Sequence, residues 1–375
     1  MKKSYLMMAA AATMFAACTQ ADFVNDIPAS APKAIDFKSP FIGKSTRAEN
    51  SSSNYTLKFS DHHKSFNVWG YKNVSPTPVF DGKMVNVTLG AGAGSEIYRY
   101  AGLVYWDESA NSYHFYAAAP AGHNWTFKAP TSLDKQGEGS FSTVVSLQDV
   151  NIHNDQGSHM TALGDSLDLL IADHCQPIIG ETVGLEFVHI LSRLNIILSK
   201  KSGMTEEVRS YEVSVKNIQK DGSFNEAAAA ANPAGSYARW TTQGADGIYQ
   251  AKNDDGALVQ EGVERHVIQT LVIPQAVTSE EIALNGSDVT TDSEPYLYVK
   301  YGVANGTDTE GNPTFEIFEK YYNLAQIFGV TAGSTLPFNE GWENTLTLTI
   351  GPATIDFKAS VAAWATQVQK QNSLN

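Results

Sequence analysis

Apolar and polar residues alternate with a period of two along most of the chain after residue 54. The segment Thr345–Ile350, TLTLTI, shows this most clearly, because its aliphatic side chains would face one way and its threonines the other. Turn-forming pairs such as Asp81-Gly82 and Asn285-Gly286 separate segments of this kind. Apolar residues at helical spacing are scarce, and Glu226–Ala231 is the best internal candidate for a helical turn. The pattern therefore predicts an all-β protein built from β-sandwiches.

The strands that this alternation predicts are short and spread over the whole chain. They are Thr56–Phe59, Phe66–Trp69, Met84–Leu89, Leu103–Trp106, Tyr113–Ala117, Phe141–Leu147, Leu167–Ile171, Glu186–Leu198, Glu212–Val215, Val267–Ile273, Tyr296–Tyr301 and Thr345–Ile350. The length of the chain is sufficient for two domains. Residues 174–184, HCQPIIGETVG, are predicted to join them. We therefore expect an N-terminal β-sandwich at residues 49–183 and a C-terminal β-sandwich at residues 184–375.

The first residues carry the features of an export signal. Lys2 and Lys3 precede the apolar run Leu6–Ala17, which ends at Cys18. A basic start, a short apolar stretch and small residues before a cut are typical of a secretory signal peptide, and the run is shorter than the roughly 20 residues that span a membrane. The end FAAC resembles a bacterial lipobox, so residues 1–17 are predicted to be a lipoprotein signal peptide and Cys18 the lipidated residue. An ordinary signal peptide that happens to contain Cys18 is the alternative.

The charge balance argues against nucleic acid as a partner. The chain has 26 Lys and Arg against 40 Asp and Glu, a net charge of −14, and an acidic surface repels phosphate backbones. Its two cysteines are Cys18 and Cys175. With Cys18 lipidated, an intramolecular disulfide is excluded, so stability is expected to come from hydrophobic burial.

Sequence motifs for catalysis or cofactor binding are missing. Leu89–Ile97, LGAGAGSEI, resembles a phosphate-binding glycine loop, but strand-like aromatic residues follow it where that chemistry needs a helix N-terminus. Neither the zinc-protease pattern H-E-x-x-H nor the hydrolase pattern G-x-S-x-G occurs. His189 alternates with apolar residues and is predicted to be a structural, hydrogen-bonded histidine. We therefore expect no catalytic residue, no metal and no cofactor.

One four-residue sequence, IDFK, occurs near both ends of the chain, at Ile35–Lys38 and Ile355–Lys358. The first copy lies in a short apolar segment, which is followed by the basic residue Arg47 and the linker-like run ENSSSN at residues 49–54. A repeat this short arises easily by chance. It carries meaning only if both copies have the same role.

The order of several motifs along most of the chain resembles the fimbrillins of Bacteroidales, including the Mfa-like (minor-fimbrium-like) proteins. The motifs are FAAC, IDF, TRA at Thr46–Ala48, FNVWGY at Phe66–Tyr71, YWDESANSYHFYAAAP at Tyr105–Pro120, LEFVHILSRLNIIL at Leu185–Leu198, VIPQ at Val272–Gln275 and TLTLTIGPATIDF at residues 345–357. The resemblance implies a lipoprotein precursor with two transthyretin-like, Greek-key β-sandwich domains in tandem, which polymerises into fimbriae on the outer surface.

The resemblance also implies how the N-terminal copy of IDF is used. In polymerising members of the family an arginine-specific protease cuts after an arginine, which corresponds here to the bond between Arg47 and Ala48. The pro-segment is predicted at residues 18–48, and the cut would remove its part up to Arg47, together with an exchangeable strand that carries Ile35 and Phe37. Its loss would open a groove in the N-terminal domain.

A C-terminal strand of the next subunit would fill that groove. The candidate donor segment is residues 353–375, and its apolar residues are Ile355, Phe357, Val361 and Trp364. Such an exchange is strand addition between chains, in which backbone pairing supplies affinity and alternate side chains fill pockets. The spacing of Val361, Trp364 and Val368 also fits a short terminal helix packed on its own domain, and that alternative stays open.

The indicated function is a structural subunit of a fimbria that contributes to adhesion. The subunit would be exported through the periplasm and held at the outer membrane by its lipid. Its expected partners are other fimbrial subunits, in a homo- or hetero-polymer, and a host or bacterial surface ligand. A surface lipoprotein that binds a glycan or host ligand without polymerising is the alternative function.

Overall fold

The computed structural model describes residues 32–42, 57–90, 96–133, 139–153, 168–229, 237–244, 246–282, 284–285, 288–289 and 294–363. Strands dominate these ranges. Their helices are the four-residue turns α1 (Phe59–His62) and α2 (Leu324–Ile327) and two 3-10 turns, Glu226–Ala229 and Tyr237–Arg239. The predicted all-β class is confirmed, and the predicted turn at Glu226 is present as a 3-10 turn.

One large sheet organises the first half of the chain. The strands before residue 190 are β1 (Phe41–Ile42), β2 (Leu57–Lys58), β3 (Ser65–Lys72), β4 (Thr77–Leu89), β5 (Glu96–Arg99), β6 (Tyr113–Ala119), β7 (Thr126–Lys128), β8 (Ser140–Ser146), β9 (Val150–His153), β10 (Leu170–Cys175) and β11 (Glu186–His189). Eight of them form a sheet in the order β2-β1-β11-β10-β6-β3-β4-β5. This first sheet encloses the first core, which includes Phe59, Phe66, Phe80, Phe115 and Phe187.

A β-sandwich organises the second half. The strands after residue 190 are β12 (Ser192–Lys200), β13 (Val208–Gln219), β14 (Asp221–Asn225), β15 (Trp240–Thr242), β16 (Asp246–Val259), β17 (Arg265–Val272), β18 (Gln275–Thr278), β19 (Leu284–Asn285), β20 (Asp288–Val289), β21 (Tyr296–Thr307), β22 (Pro313–Asn323), β23 (Thr335–Phe338), β24 (Trp342–Ile350) and β25 (Ile355–Ala363). A four-stranded sheet, β17-β12-β24-β25, faces a five-stranded sheet, β22-β21-β13-β16-β9. The second core fills the space between them. In β24, Leu346 and Leu348 are fully buried whereas Thr345 and Thr347 are half-buried, as the alternation predicts.

Strands from both sides of residue 184 share a third sheet. β14 pairs with β8, which gives the order β15-β14-β8-β7, and β9 runs parallel to β16. A third core joins Trp69 and Phe141 from the first half to Trp240 and Ile273 from the second. The domain ranges 49–183 and 184–375 stay a prediction, and the structure adds that these two ranges share a sheet and a core.

The predicted strand Glu186–Leu198 is interrupted at Ile190 and Leu191. β11 pairs with β10 in the first sheet, whereas β12 pairs with β17 and β24 in the second half. The Ile190 carbonyl accepts a hydrogen bond from the Trp240 indole at 2.9 Å, and the Leu191 carbonyl accepts one from the Gly341 N–H at 2.8 Å. The break is hidden in the sequence because the residues at it, Ile190 and Leu191, are as apolar as many positions of the strands beside them.

Two other predicted strands are shorter in the structure. Thr56–Phe59 yields only β2 among the described residues, because Phe59 begins α1. Leu103–Trp106 makes a single isolated bridge, between Tyr105 and Ala34. That bridge joins the chain to its own N-terminal residues.

A buried ion pair between Arg239 and Glu340 connects the third sheet to the second half of the chain. The Arg239 Nε donates to both carboxylate oxygens of Glu340, at 3.1 and 2.9 Å, and Glu340 is fully buried. Glu226 lies 3.7 Å from Arg239 and accepts the backbone N–H of Phe141 at 2.9 Å. Burial raises the pKa of Glu340 to about 7, although the Arg239 guanidinium opposes that shift.

Replacing Arg239 by Met should lower the unfolding free energy by about 3 kcal/mol near pH 8, because the buried Glu340 carboxylate loses the guanidinium that balances its charge. The loss should be smaller near pH 5. A carboxyl whose folded pKa is raised binds its proton more tightly in the folded state, so below about pH 7 Glu340 is neutral and needs no cation. Denaturant unfolding at both pH values measures the difference.

Lys252→Met is the matched control, because Lys252 forms an exposed ion pair with Asp254 at 3.4 Å. It should leave the unfolding midpoint nearly unchanged. A loss in Arg239→Met that does not grow with pH would contradict this description of the ion pair.

Candidate functional site

The predicted site residues fall in two places in the structure. Ile35 and Phe37 lie in residues 32–42, the N-terminal segment, and the donor residues Ile355, Phe357 and Val361 lie in β25. Four others lie outside the described residues, namely Cys18, Arg47, Ala48 and Trp364.

The N-terminal segment lies between two stretches of the first half and bonds to both through its backbone. Ile35 donates its N–H to the Val104 carbonyl at 2.8 Å, and Trp106 donates to the Lys33 carbonyl at 2.9 Å. On the other side, Lys38 donates to Val183 at 3.0 Å and Val183 donates to the Asp36 carbonyl at 2.8 Å. The segment therefore acts as an extra strand, with an isolated parallel bridge from Phe37 to Val183.

Buried and exposed side chains alternate along this segment, and its apolar side chains lie in the first core. Ile35 is 0% and Phe37 is 6% exposed, and burial of a large apolar side chain contributes about 1.5–3 kcal/mol. The Phe37 ring lies edge-on to Phe66, Phe80, Tyr100 and Phe115, at centroid distances of 6.0, 5.8, 6.0 and 6.1 Å. These four rings are the aromatic pocket. Edge-to-face packing of this kind adds about 0.5–1.5 kcal/mol per pair beyond burial.

Polar contacts hold the segment at both ends of this pocket. The Tyr100 hydroxyl donates to the Ile35 carbonyl at 2.6 Å, and burial raises the pKa of that tyrosine, which keeps it a donor. The Ser39 hydroxyl donates to the Glu96 carboxylate at 2.7 Å. Tyr98 and Ser60 donate to the same carboxylate. Glu96 therefore joins the N-terminal segment to β5 and α1.

β1 places the end of the segment inside the first sheet. It pairs in parallel with β11, Phe41 opposite Glu186 and Ile42 opposite Phe187, and antiparallel with β2. Ile42 is fully buried in the first core. Because β1 lies between β11 and β2 in the strand order, its removal would leave an edge of β11 without its partner.

The C-terminal residues Ile355–Ala363 form β25, which pairs antiparallel with β24 along its whole length. Ile355 is buried in the second core, and Phe357 is half-buried with its ring 4.7 Å from that of Tyr322. Val361, 40% exposed, also lies in this strand, whereas the other two positions of the terminal-helix alternative lie outside the described residues. β25 is an edge strand, and among the described residues its outer side pairs with no other strand.

Both copies of IDFK have the same alternation in the structure. In each copy the Ile and Phe side chains pack on an apolar core, and the Asp and Lys side chains are exposed. Each copy is a terminal extended segment that closes one core. The two copies therefore share an alternation, and their shared role in strand exchange stays a prediction.

The described residues include no group of three or more His, Cys, Asp or Glu side chains arranged to hold a metal ion. His189 is buried, with its Nδ1 2.9 Å from the Asp168 carboxylate, so the predicted hydrogen-bonded role is confirmed. In the same described ranges, every helix falls short of the length and apolarity that crossing a membrane requires.

Comparison with known proteins identifies the family. The sequence profile of the Fimbrillin-like family matches residues 46–364. The chain belongs to this family. The fimbrillin resemblance drawn from the motifs is therefore confirmed. No curated protein matches the chain.

Two fimbrial proteins are among the solved structures that resemble this fimbrillin-like chain. A fimbrial protein from Bacteroides vulgatus ATCC 8482 is 14% identical, covers 88% of this chain and 99% of its own, and has a TM-score of 0.51. The tip fimbrial protein Mfa3 from Porphyromonas gingivalis, with a C-terminal truncation, is 9% identical, covers 80% and 94% and has a TM-score of 0.37. The likeness to the first supports the β-sandwich fold.

Several residues that hold the N-terminal segment in this fimbrillin-like chain escape prediction from the sequence. Glu96 and Tyr100 follow a glycine-rich stretch, and Val183 lies in the turn-rich stretch 174–184. No motif or spacing relates them to Ile35, because only the folded chain brings them to it. In the sequence, the apolar alternation of IDF is the one feature that indicates burial of this segment.

Phe37→Ala should lower the unfolding free energy of the uncut chain by about 3 kcal/mol or more, the usual cost of truncating a buried phenylalanine. The lost ring would leave a cavity bounded by the aromatic pocket. Asp36→Ala, at the exposed neighbour, is the control and should change the midpoint little. Denaturant unfolding compares the two, and equal midpoints would show that the segment does not support the first core.

Proposed function

We propose that this protein is a structural subunit, a pilin, of a cell-surface fimbria, and that it contributes to adhesion. One observation carries the proposal: a short segment upstream of Arg47 supplies core side chains to the first sheet and is attached to it by few backbone bonds. A segment that completes a fold and is then cut away leaves a site for a strand of another chain. Membership of the Fimbrillin-like family supports the same role.

The precursor in this proposal is a lipoprotein. It is exported through the periplasm, loses residues 1–17 and is held at the outer membrane by lipid on Cys18. An arginine-specific protease then cuts between Arg47 and Ala48. Because Arg47 lies in sequence between β1 and β2, the cut separates the whole N-terminal segment, with its lipid, from the rest of the chain.

Loss of the N-terminal segment has a direct physical consequence. Ile35, Phe37 and Ile42 would leave the first core, each with about 1.5–3 kcal/mol of burial. Backbone groups of Val104 and Val183 would lose their partners, which is costly for groups away from water. An open apolar groove lined by unpaired strand backbone pairs readily with another chain.

The donor in this proposal is the C-terminal segment of a neighbouring subunit. β25 is the last described strand and lies at a sheet edge, so it can separate from β24 without moving any other strand of that sheet. Its inward residues, Ile355 and Phe357, match the groove in type and spacing. Residues beyond it, including Trp364, extend the donor.

Cleavage of the purified precursor by an arginine-specific protease should convert monomers into fibres, because it opens the groove. Arg47→Ala should stay monomeric under the same treatment. A chain without residues 354–375 should be cut but should not assemble, since it lacks the donor. Gel filtration and electron microscopy before and after cleavage measure both.

Fibres formed by Arg47→Ala would remove the processing step from the proposal, and fibres formed by the truncated chain would remove this donor. A fully cut chain that stays monomeric would favour the alternative, a surface lipoprotein that binds its ligand without polymerising.

A further inference from the structure

One edge of the five-stranded sheet is long and regular. β22 stands at the end of the order β22-β21-β13-β16-β9, so among the described residues only one of its two sides is paired. From Phe315 to Asn323 it pairs with β21 without a register shift. Bulges and prolines usually protect an edge strand from pairing with another chain. The proline of β22 is its first residue, and the stretch from Phe315 to Asn323 contains neither a proline nor a bulge.

This edge also presents large apolar side chains. Ile317 is 45% exposed, and Phe315 and Phe318 are half-buried. The Phe318 ring stacks on Tyr301 with a centroid distance of 5.1 Å, at the rim of the second core. An edge strand with unpaired backbone groups and exposed apolar side chains is a template for a strand of another chain.

The charged residues of β22 determine which strand can pair with it. Glu319 forms an ion pair with Lys300 of β21 at 2.8 Å, so its charge is balanced within the chain. Glu316 is exposed, and the Lys320 Nζ lies 5.9 Å from the centre of the Phe318 ring. Glu316 and Lys320 lie at the same distance in sequence from Phe318, on opposite sides of it.

This symmetric spacing makes the strand complementary to itself. When two copies of a strand pair antiparallel about a two-fold axis, residues equally far from the axis in sequence lie opposite each other. With Phe318 at the axis, Glu316 of each copy faces Lys320 of the other, and the two Phe318 rings face each other. We propose that β22 is a self-association surface, at which two copies of the chain pair antiparallel with Phe318 at the two-fold axis.

Other registers of the same pairing lose these contacts. With the axis at Ile317, Glu316 faces Phe318 and both ion pairs are lost. With the axis at Glu316, Glu319 or Lys320, two identical charges meet at the axis, which is unfavourable for residues directly opposite each other. The charges of β22 therefore specify one register.

A second copy of the chain is the partner that fits this edge, because both members of each ion pair come from the same strand. Backbone pairing supplies the affinity, as in other cases of strand addition. A contact through one strand is small, and small interfaces bind weakly. Free subunits are therefore expected to pair only at high concentration. The inference is independent of the proposed function, since it uses no residue of the N-terminal segment or of β25.

Cysteine cross-linking of the uncut chain tests the register. In a chain with both native cysteines replaced by serine, Glu316→Cys and Lys320→Cys are made as separate variants. Mixed together under mild oxidation they should form disulfide-linked dimers, because residue 316 of one copy faces residue 320 of the other. Each variant alone should form few, because two copies of residue 316, or of residue 320, are about 13 Å apart along the paired strands. A disulfide requires Cα atoms within roughly 7 Å.

Electrophoresis without reductant measures the dimers, and mass spectrometry identifies the linked residues. A mixture that forms no more dimer than the single variants would overturn the proposed pairing.

A charge exchange on the uncut chain tests the same pairing without cross-linking. Glu316→Lys should weaken self-association by about tenfold, because each of two ion pairs becomes a contact between like charges. Lys320→Glu should have the same effect. The double variant Glu316→Lys with Lys320→Glu should associate like the parent, because it restores both ion pairs with their signs reversed. Sedimentation velocity over a range of protein concentrations measures the association.

Glu264→Lys is the matched control, because it makes the same change of charge at an exposed residue in the loop before β17. It should associate like the parent chain. The inference would be overturned by equal association of the Glu316→Lys and Glu264→Lys chains, or by a double variant that associates no better than Glu316→Lys alone.

Discussion

The packing of Phe37 among four aromatic rings is the contact on which the first half of the molecule depends. The ring closes the first core from a piece of chain that bonds to its neighbours through scattered backbone pairs, at Val104, Trp106 and Val183, and through the two-residue strand β1. The N-terminal segment is therefore held in the first core by side-chain burial rather than by a continuous ladder of backbone hydrogen bonds. In the proposed exchange, a strand that carries the right side chains at the right spacing would fill the same site.

The second half is held together by different means. β25 pairs with β24 over its full length, so leaving its own sheet costs a ladder of hydrogen bonds that a new partner must replace. The shared third sheet, the third core and the buried pair of Arg239 and Glu340 join the two halves. Paired strands and buried contacts therefore connect the two halves of the chain.

The sequence predicts much of this architecture, for physical reasons that particular residues make clear. Thr345–Ile350 alternates because one face of β24 is buried, and the IDF segments alternate for the same reason, so both are visible in the sequence. The break at Ile190 is not visible, because the residues at the break are as apolar as many positions of the strands beside it. The contacts of Glu96 and Gly184 with the N-terminal segment are also hidden, since they depend on residues that approach only in the folded chain.

The most direct test uses a disulfide that links the N-terminal segment to its groove and that a reductant can break. Residues 38 and 184 face each other, because Phe37 pairs in parallel with Val183 and the Lys38 stem fills the space above Gly184. Lys38→Cys with Gly184→Cys, with both native cysteines replaced by serine, would form a disulfide that holds the segment in place after cleavage at Arg47. Light scattering should show monomers while the disulfide is intact and assembly once a reductant is added, whereas Lys38→Cys alone should assemble in both conditions. Assembly of the oxidised, fully cut double variant at the rate of the single variant would show that the groove is not where subunits join.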